Sequence, residues 1–182
     1  MTSLGLWVAR RSHGVGEGDL AVGYARAQAP TAYGMVFVFV VETVGVSFML
    51  AAYPVAHLVM LLLDLYTVAL VLGLHAAAVT RPHVVGPGEL RIRRGAQLDL
   101  RIPLERIASA RYDVRFPDAN KSEDGVLEVA IASQTSITIE LNQPVTAESL
   151  LGRRTEVRTI RCHADDPRTA VAAIKKLLPA HG

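Results

Sequence analysis

Two unbroken apolar runs occupy the chain from Ala32 to Thr80, and from Glu89 onward apolar and polar residues alternate. Each run is long enough to cross a bilayer core of roughly 30 Å as a helix, which takes about 20 residues. Only Glu42 and Asp64 carry acid groups inside them, and no Lys or Arg falls between Arg26 and Arg81. The pattern predicts a transmembrane helical hairpin over 32–80, with spans at about 33–53 and 55–79. Pro54 marks the connection, because it lacks a donor and disfavours helix at Tyr53 before it. Tyr33 and Tyr53 bracket the first span as interfacial aromatics do.

The alternation that follows has a period of two: Leu90 and Ile92; Leu98, Leu100 and Ile102; Ala110, Tyr112, Val114 and Phe116; Leu127, Val129 and Ile131; Ile137, Ile139 and Leu141. Charged residues take the places between, which predicts antiparallel strands with one buried face. Turns are expected at Gly86-Pro87-Gly88, Arg94-Gly95, Pro117 to Gly125 and Ser133-Gln134. One more strand covers about 155–163, where Val157 and Ile160 are out of phase and predict a bulge near Arg158-Thr159. Asp165-Asp166-Pro167 then opens a helix whose stripe is Val171, Ile174, Leu177 and Leu178, with Lys175 and Lys176 in its last turn. Six or seven short strands and one closing helix predict a small antiparallel β-barrel plugged by a C-terminal amphipathic helix. The expected fold class is an α+β membrane protein: an arm over 1–31, the hairpin over 32–80 and a cytoplasmic β domain over 81–182.

Charge refines this picture. The 182 residues carry a net charge of +2 and are 51% apolar. Residues 81–182 hold sixteen Lys and Arg against thirteen Asp and Glu, only +3 net, with no dense basic stripe or stacking aromatics. That composition argues against a nucleic-acid partner. Basic residues flank both outer ends of the hairpin while its Pro54 tip is uncharged, so both termini are expected in the cytoplasm and the location is the plasma (inner) membrane. The first span is too long and too far from the start to be a cleaved signal peptide. The Gly-rich arm shows no sustained period and reads as a mobile segment. Leu4, Leu6, Trp7 and Val8 in it could form a short interfacial anchor. Cys162 is the single cysteine, which excludes an intramolecular disulfide, and its strand position suits a buried inert thiol.

Glu42 lies twelve residues before Pro54 and Asp64 ten after it, placing them roughly 18 Å and 15 Å from the tip, near the bilayer middle. Facing carboxylates at that depth need a proton or a partner. Three roles stay open: a structural hydrogen bond to Thr43, Tyr66, Thr67 or a backbone carbonyl; glue between copies in a homo-oligomer; or a proton or cation relay. His57 and His75 fall near the two surfaces, too far apart to share a metal. No phosphate loop, nucleophile elbow or His-Glu-x-x-His motif occurs. The expected role is non-enzymatic, with no cofactor.

Arg81-Pro82-His83, Leu90-Arg91-Ile92-Arg93 with Gly95, Ile102-Pro103-Leu104 before Ile107, and the Asp165-Asp166-Pro167 helix start carry a resemblance that spans residues 32–180. The chain resembles actinobacterial two-span membrane proteins bearing a bacterial pleckstrin-homology-like domain after the second span. That resemblance implies a PH-like barrel with no catalytic residues. It also implies cations around the first hairpin for lipid contact, here Arg81, Arg91, Arg93, Arg94 and Arg101, facing the anionic inner leaflet. Leu150 and Leu151, backed by Arg153 and Arg154, form a second expected contact with the membrane or a protein partner. The expected function is a membrane-tethered PH-like scaffold module for protein docking or anionic-lipid contact. The alternative is a small transporter or channel subunit working through Glu42 and Asp64.

Overall fold

A computed structural model describes residues 5, 7, 13–95, 97–118, 123–148 and 154–178. Helix α1 (Ala29–Met49) begins with Pro30 in its first turn, where a missing N–H costs nothing. It starts and stops about four residues earlier than its apolar run suggested. The chain turns at Leu50, whose N–H bonds to the Val46 carbonyl at 2.9 Å. Tyr53 is held out of the helical region (ψ 78°) by Pro54, the first residue of α2 (Pro54–Thr80). Arg81 before Pro82 ends α2 in the same way, at φ −119° and ψ 69°. At 1.5 Å per residue the helices are roughly 31 and 40 Å long. They pack side by side, and both are long and apolar enough to cross a bilayer.

The strands form two four-stranded sheets. Sheet one contains β1 (Leu20–Val22), β2 (His83–Val85), β3 (Glu89–Arg94) and β4 (Leu98–Pro103) in the order β1-β2-β3-β4, all antiparallel. Sheet two contains β5 (Ile107–Arg115), β6 (Val126–Val129), β7 (Thr135–Glu148) and β8 (Arg154–Cys162) in the order β5-β7-β8-β6. The β6–β8 pair is parallel. Leu90, Ile92 and Ile102 of sheet one face Ile107, Ile139, Val157 and Ile160 of sheet two in a single core.

Two expectations need correction. No closed barrel forms: among the described residues no ladder joins the two sheets. Pro103, which has no N–H, and the 3-10 turn Leu104–Arg106 carry the chain from β4 across to the other sheet, while β6 ends up on the outer edge of sheet two. The arm is not simply mobile, because residues 20–22 form an edge strand and Tyr24 is buried. The irregularity expected near Arg158-Thr159 is present: both N–H groups bond to the Gly125 carbonyl, at 2.8 and 3.1 Å, and the β7–β8 register shifts between Glu140↔Thr159 and Val145↔Val157.

The third helix, α3 (Pro167–Leu177), starts as its sequence foretold. Asp166 accepts the Thr169 N–H at 3.2 Å, a side-chain cap. Ala170, Val171 and Ile174 are buried against β5, β2 and β7, so the helix covers the open side between the sheets.

The turn between β6 and β7 is strained. Ile131 and Gln134 exchange backbone hydrogen bonds of 3.0 Å in each direction. The two residues between them, Ala132 and Ser133, have φ of +50° and +59°. This two-residue form favours Asn-Gly, because a Cβ in the left-handed region costs roughly 1–2 kcal/mol. Replacing Ala132-Ser133 with Asn-Gly is therefore expected to stabilise the fold by about 1 kcal/mol. A rise in the urea midpoint of the detergent-solubilised chain would register it, and an unchanged or lower midpoint would count against it.

Candidate functional site

Strand β3 supplies three of the five arginines expected at a lipid surface, and the structure separates them. Arg91 pairs with Asp99 across the β3–β4 ladder, and Arg101 lies 3.6 Å from Glu89. The Arg91 hydrogen bonds hold the Asp99 carboxyl below the usual carboxylate range. Arg93 sits at a position that alternation assigned to the outer face, yet its side chain is 3% exposed. Its guanidinium donates to the carbonyls of His13 (2.8 Å) and Gly14 (3.4 Å), and Nε lies 3.6 Å from Asp99. The arm covers it. Arg93 is thus removed from any lipid-facing set by burial. Arg81 and Arg94 remain, and among the described residues neither has a carboxylate within 4 Å.

The two helix carboxyls do not meet. Glu42 is on the exposed side of α1, with no hydrogen bond or ion pair among the described residues. Asp64 turns inward, its Oδ2 2.9 Å from the Thr43 hydroxyl, which also donates to the Phe39 carbonyl at 2.7 Å. His57 reaches Ser47 Oγ at 3.0 Å. A shared relay through Glu42 and Asp64 has no geometric basis within one chain, whereas the structural hydrogen bond expected of Asp64 to Thr43 is present. Leu150, Leu151 and Arg153 lie outside the described residues; Arg154 opens β8 and is exposed.

What sequence reasoning missed is a buried joint where the hairpin meets the β unit. His83 Nδ1 accepts the Arg93 N–H at 2.9 Å, so the ring hydrogen sits on Nε2, 3.0 Å from the His163 carbonyl that accepts it. Burial pushes this imidazole down to about 4. Tyr24 lies over it with ring centroids 4.6 Å apart, and the Tyr24 hydroxyl accepts the Gly95 N–H at 2.6 Å. Asp165 ties the base of α1 to the same place: its Oδ1 accepts the Arg26 N–H at 3.1 Å, and its backbone N–H bonds to the Gly23 carbonyl. At Gly23 the chain passes close to Asp165: a Cβ there would come within 2.8 Å of Asp165 Oδ2 and push that carboxylate aside.

Beside this joint, between the helix base and the β3–β4 turn, is a cavity of about 370 Å³. Arg94, Gln97, Gln28 and Tyr24 line one part; Met35, Val71 and Leu74 line another. His75, expected at an interface, is 5% exposed and also lines it. Its ring contacts Tyr33 and Trp7 edge-on at 5.3 and 5.8 Å. Of the expected N-terminal anchor only Trp7 is described; Leu4, Leu6 and Val8 lie outside the described residues.

Among the described residues no group of three His, Cys, Asp or Glu side chains comes together in a metal-ligand arrangement. Cys162 is buried, which pushes its thiol up to about 12. Comparison with protein-family models, with curated proteins and with solved structures finds no match in any of the three.

Proposed function

We propose that α1 and α2 span the plasma membrane as a hairpin and hold the two-sheet unit against its cytoplasmic face. There the unit serves as a non-enzymatic, PH-like module for anionic-lipid contact or protein docking. One observation carries the reading. The helices leave Phe37, Val41, Phe48, Leu58, Leu62 and Leu65 more than half exposed around their surfaces. An apolar surface that extensive exceeds what soluble monomers leave to water, and lipid covers it naturally. Arg26 and Arg81 at the inner ends, against an uncharged tip, support a cytoplasmic β unit. Arg81 and Arg94 support anionic-lipid contact, each worth on the order of 1 kcal/mol near such a leaflet.

The buried Cys162 makes the test clean, because it leaves no reactive background thiol. A cysteine introduced at the exposed tip, Ala52→Cys, is expected to react with a membrane-impermeant maleimide on intact cells. Lys175→Cys on α3 is expected to react only after permeabilisation. Recovery of the full-length chain in the high-speed supernatant without detergent would sink the reading; the reversed labelling pattern would invert its orientation.

A further inference from the structure

From the cavity at the helix base we infer a binding site for one anionic phospholipid, its phosphate at Arg94 and its acyl chains leaving past Leu74. The inference rests on the membrane reading above and identifies a specific site within it. Two observations converge on it. Arg94 is the cavity's cation, and it has no carboxylate within 4 Å among the described residues, whereas Arg91 and Arg93 beside it share Asp99. Arg81 and Arg93 are close enough to act with Arg94 on the Tyr24 hydroxyl, so the polar end lies in a positive field.

Second, the cavity is amphipathic along the helix axis. Gln28 just before α1 and Thr31 in its first turn give way to Met35, and His75 on α2 gives way to Val71; the steps Thr31 to Met35 and His75 to Val71 each span about 6 Å. Leu74 and Met35 are 56% and 45% exposed, so the apolar wall opens sideways to the lipid-covered surface of the helices. A volume of about 370 Å³ falls in the range of small-ligand sites. It admits a glycerophosphate headgroup, while the tails lie against the hairpin.

A soluble phosphate would satisfy Arg94 yet leave the Met35–Leu74 wall without an occupant, so the lipid is the occupant that matches both ends.

Trp7 is the single tryptophan of the chain and sits against His75, which places a fluorescent reporter beside the site. The full-length chain is placed in phosphatidylcholine nanodiscs containing a minor fraction of phosphatidylglycerol, with bromine on the acyl chains of one lipid or the other. Brominated phosphatidylglycerol is expected to quench Trp7 more strongly than the same fraction of brominated phosphatidylcholine. Arg94→Gln is expected to lower that preference about five-fold, Arg94→Lys to restore part of it, and Arg101→Gln, on the paired strand face, to leave it intact. Inorganic phosphate at millimolar concentration is expected not to compete; competition would move the site from lipid to free phosphate and overturn the proposal. Equal quenching by the two lipids, or a preference untouched by Arg94→Gln, overturns the site while leaving the hairpin standing. A chain that does not enter the nanodisc overturns both.

Discussion

Between pH 6.5 and pH 4 the folded chain is expected to lose about 3 kcal/mol of stability through His83 alone. In the unfolded chain this ring takes up a proton near pH 6.5; in the fold, burial holds it neutral until about 4. Stability from the neutral ring is therefore fully present above 6.5 and declines across that interval. Below 4 both states carry the proton, and the ring adds no further slope. Protonation would also put a second N–H opposite the Arg93 N–H that Nδ1 now accepts. His163 is lowered by burial too and adds to the same slope. The carboxylates of Asp99, Asp113, Glu123 and Glu140 are held below their ordinary range by hydrogen bonds from arginines, so they favour the fold at neutral pH and lose that contribution toward the acid end. Urea unfolding of the detergent-solubilised chain, followed by pulse proteolysis at several pH values, measures the effect. His83→Gln is expected to remove most of the slope; an unchanged slope would show that His83 is not its source.

Arg93→Met is expected to cost about 3 kcal/mol of stability and to leave lipid preference intact. Removal of the guanidinium leaves the carbonyls of His13 and Gly14 without its donors, frees the arm that covers it, and deprives Asp99 of one of its two cations. Because the side chain is 3% exposed, none of that charge is presented to a bilayer. Its neighbour should behave in the opposite way: Arg94→Gln alters lipid preference at almost constant stability. The two variants, scored by urea midpoint and by Trp7 quenching, separate a structural cation from a surface one. A lost preference at unchanged midpoint in Arg93→Met would reverse the assignment.

Much of the fold could be read before any coordinates, for physical reasons that also mark where reading stopped. Pro54 and the Arg81-Pro82 pair bound the second helix because proline constrains the residue before it. Alternation identified the core face at Leu90, Ile92, Ile137 and Ile139, which are all buried, but not beyond Ala110, since Tyr112, Val114 and Phe116 of the same expected face are exposed. It could not identify which strands are neighbours, since period two fixes a face and not a partner. Hence β6 alongside β8 in parallel, and the open pair of sheets, were out of reach. Strand β1 spans three residues, too few to show a period. Arg93 misled for a related reason: what buries it is contributed by residues eighty positions away. At the candidate site Arg94 was visible as one of four clustered arginines, while the meeting of Tyr24, His75 and Gln97 depends on the hairpin returning beside its own starting point.

That return has a practical consequence. Val22 and His83 are directly opposed in the β1–β2 ladder, so the whole hairpin is an excursion between two adjacent strands of one sheet. The β unit is discontinuous in sequence, and a fragment beginning at residue 81 would lack an edge strand, Tyr24 and the carbonyls that Arg93 holds. A soluble derivative is better obtained by excising the hairpin and bridging Arg26 to Arg81 with a few flexible residues. Ribosomal synthesis faces the same constraint in time: sheet one cannot be completed until both helices have left the exit tunnel.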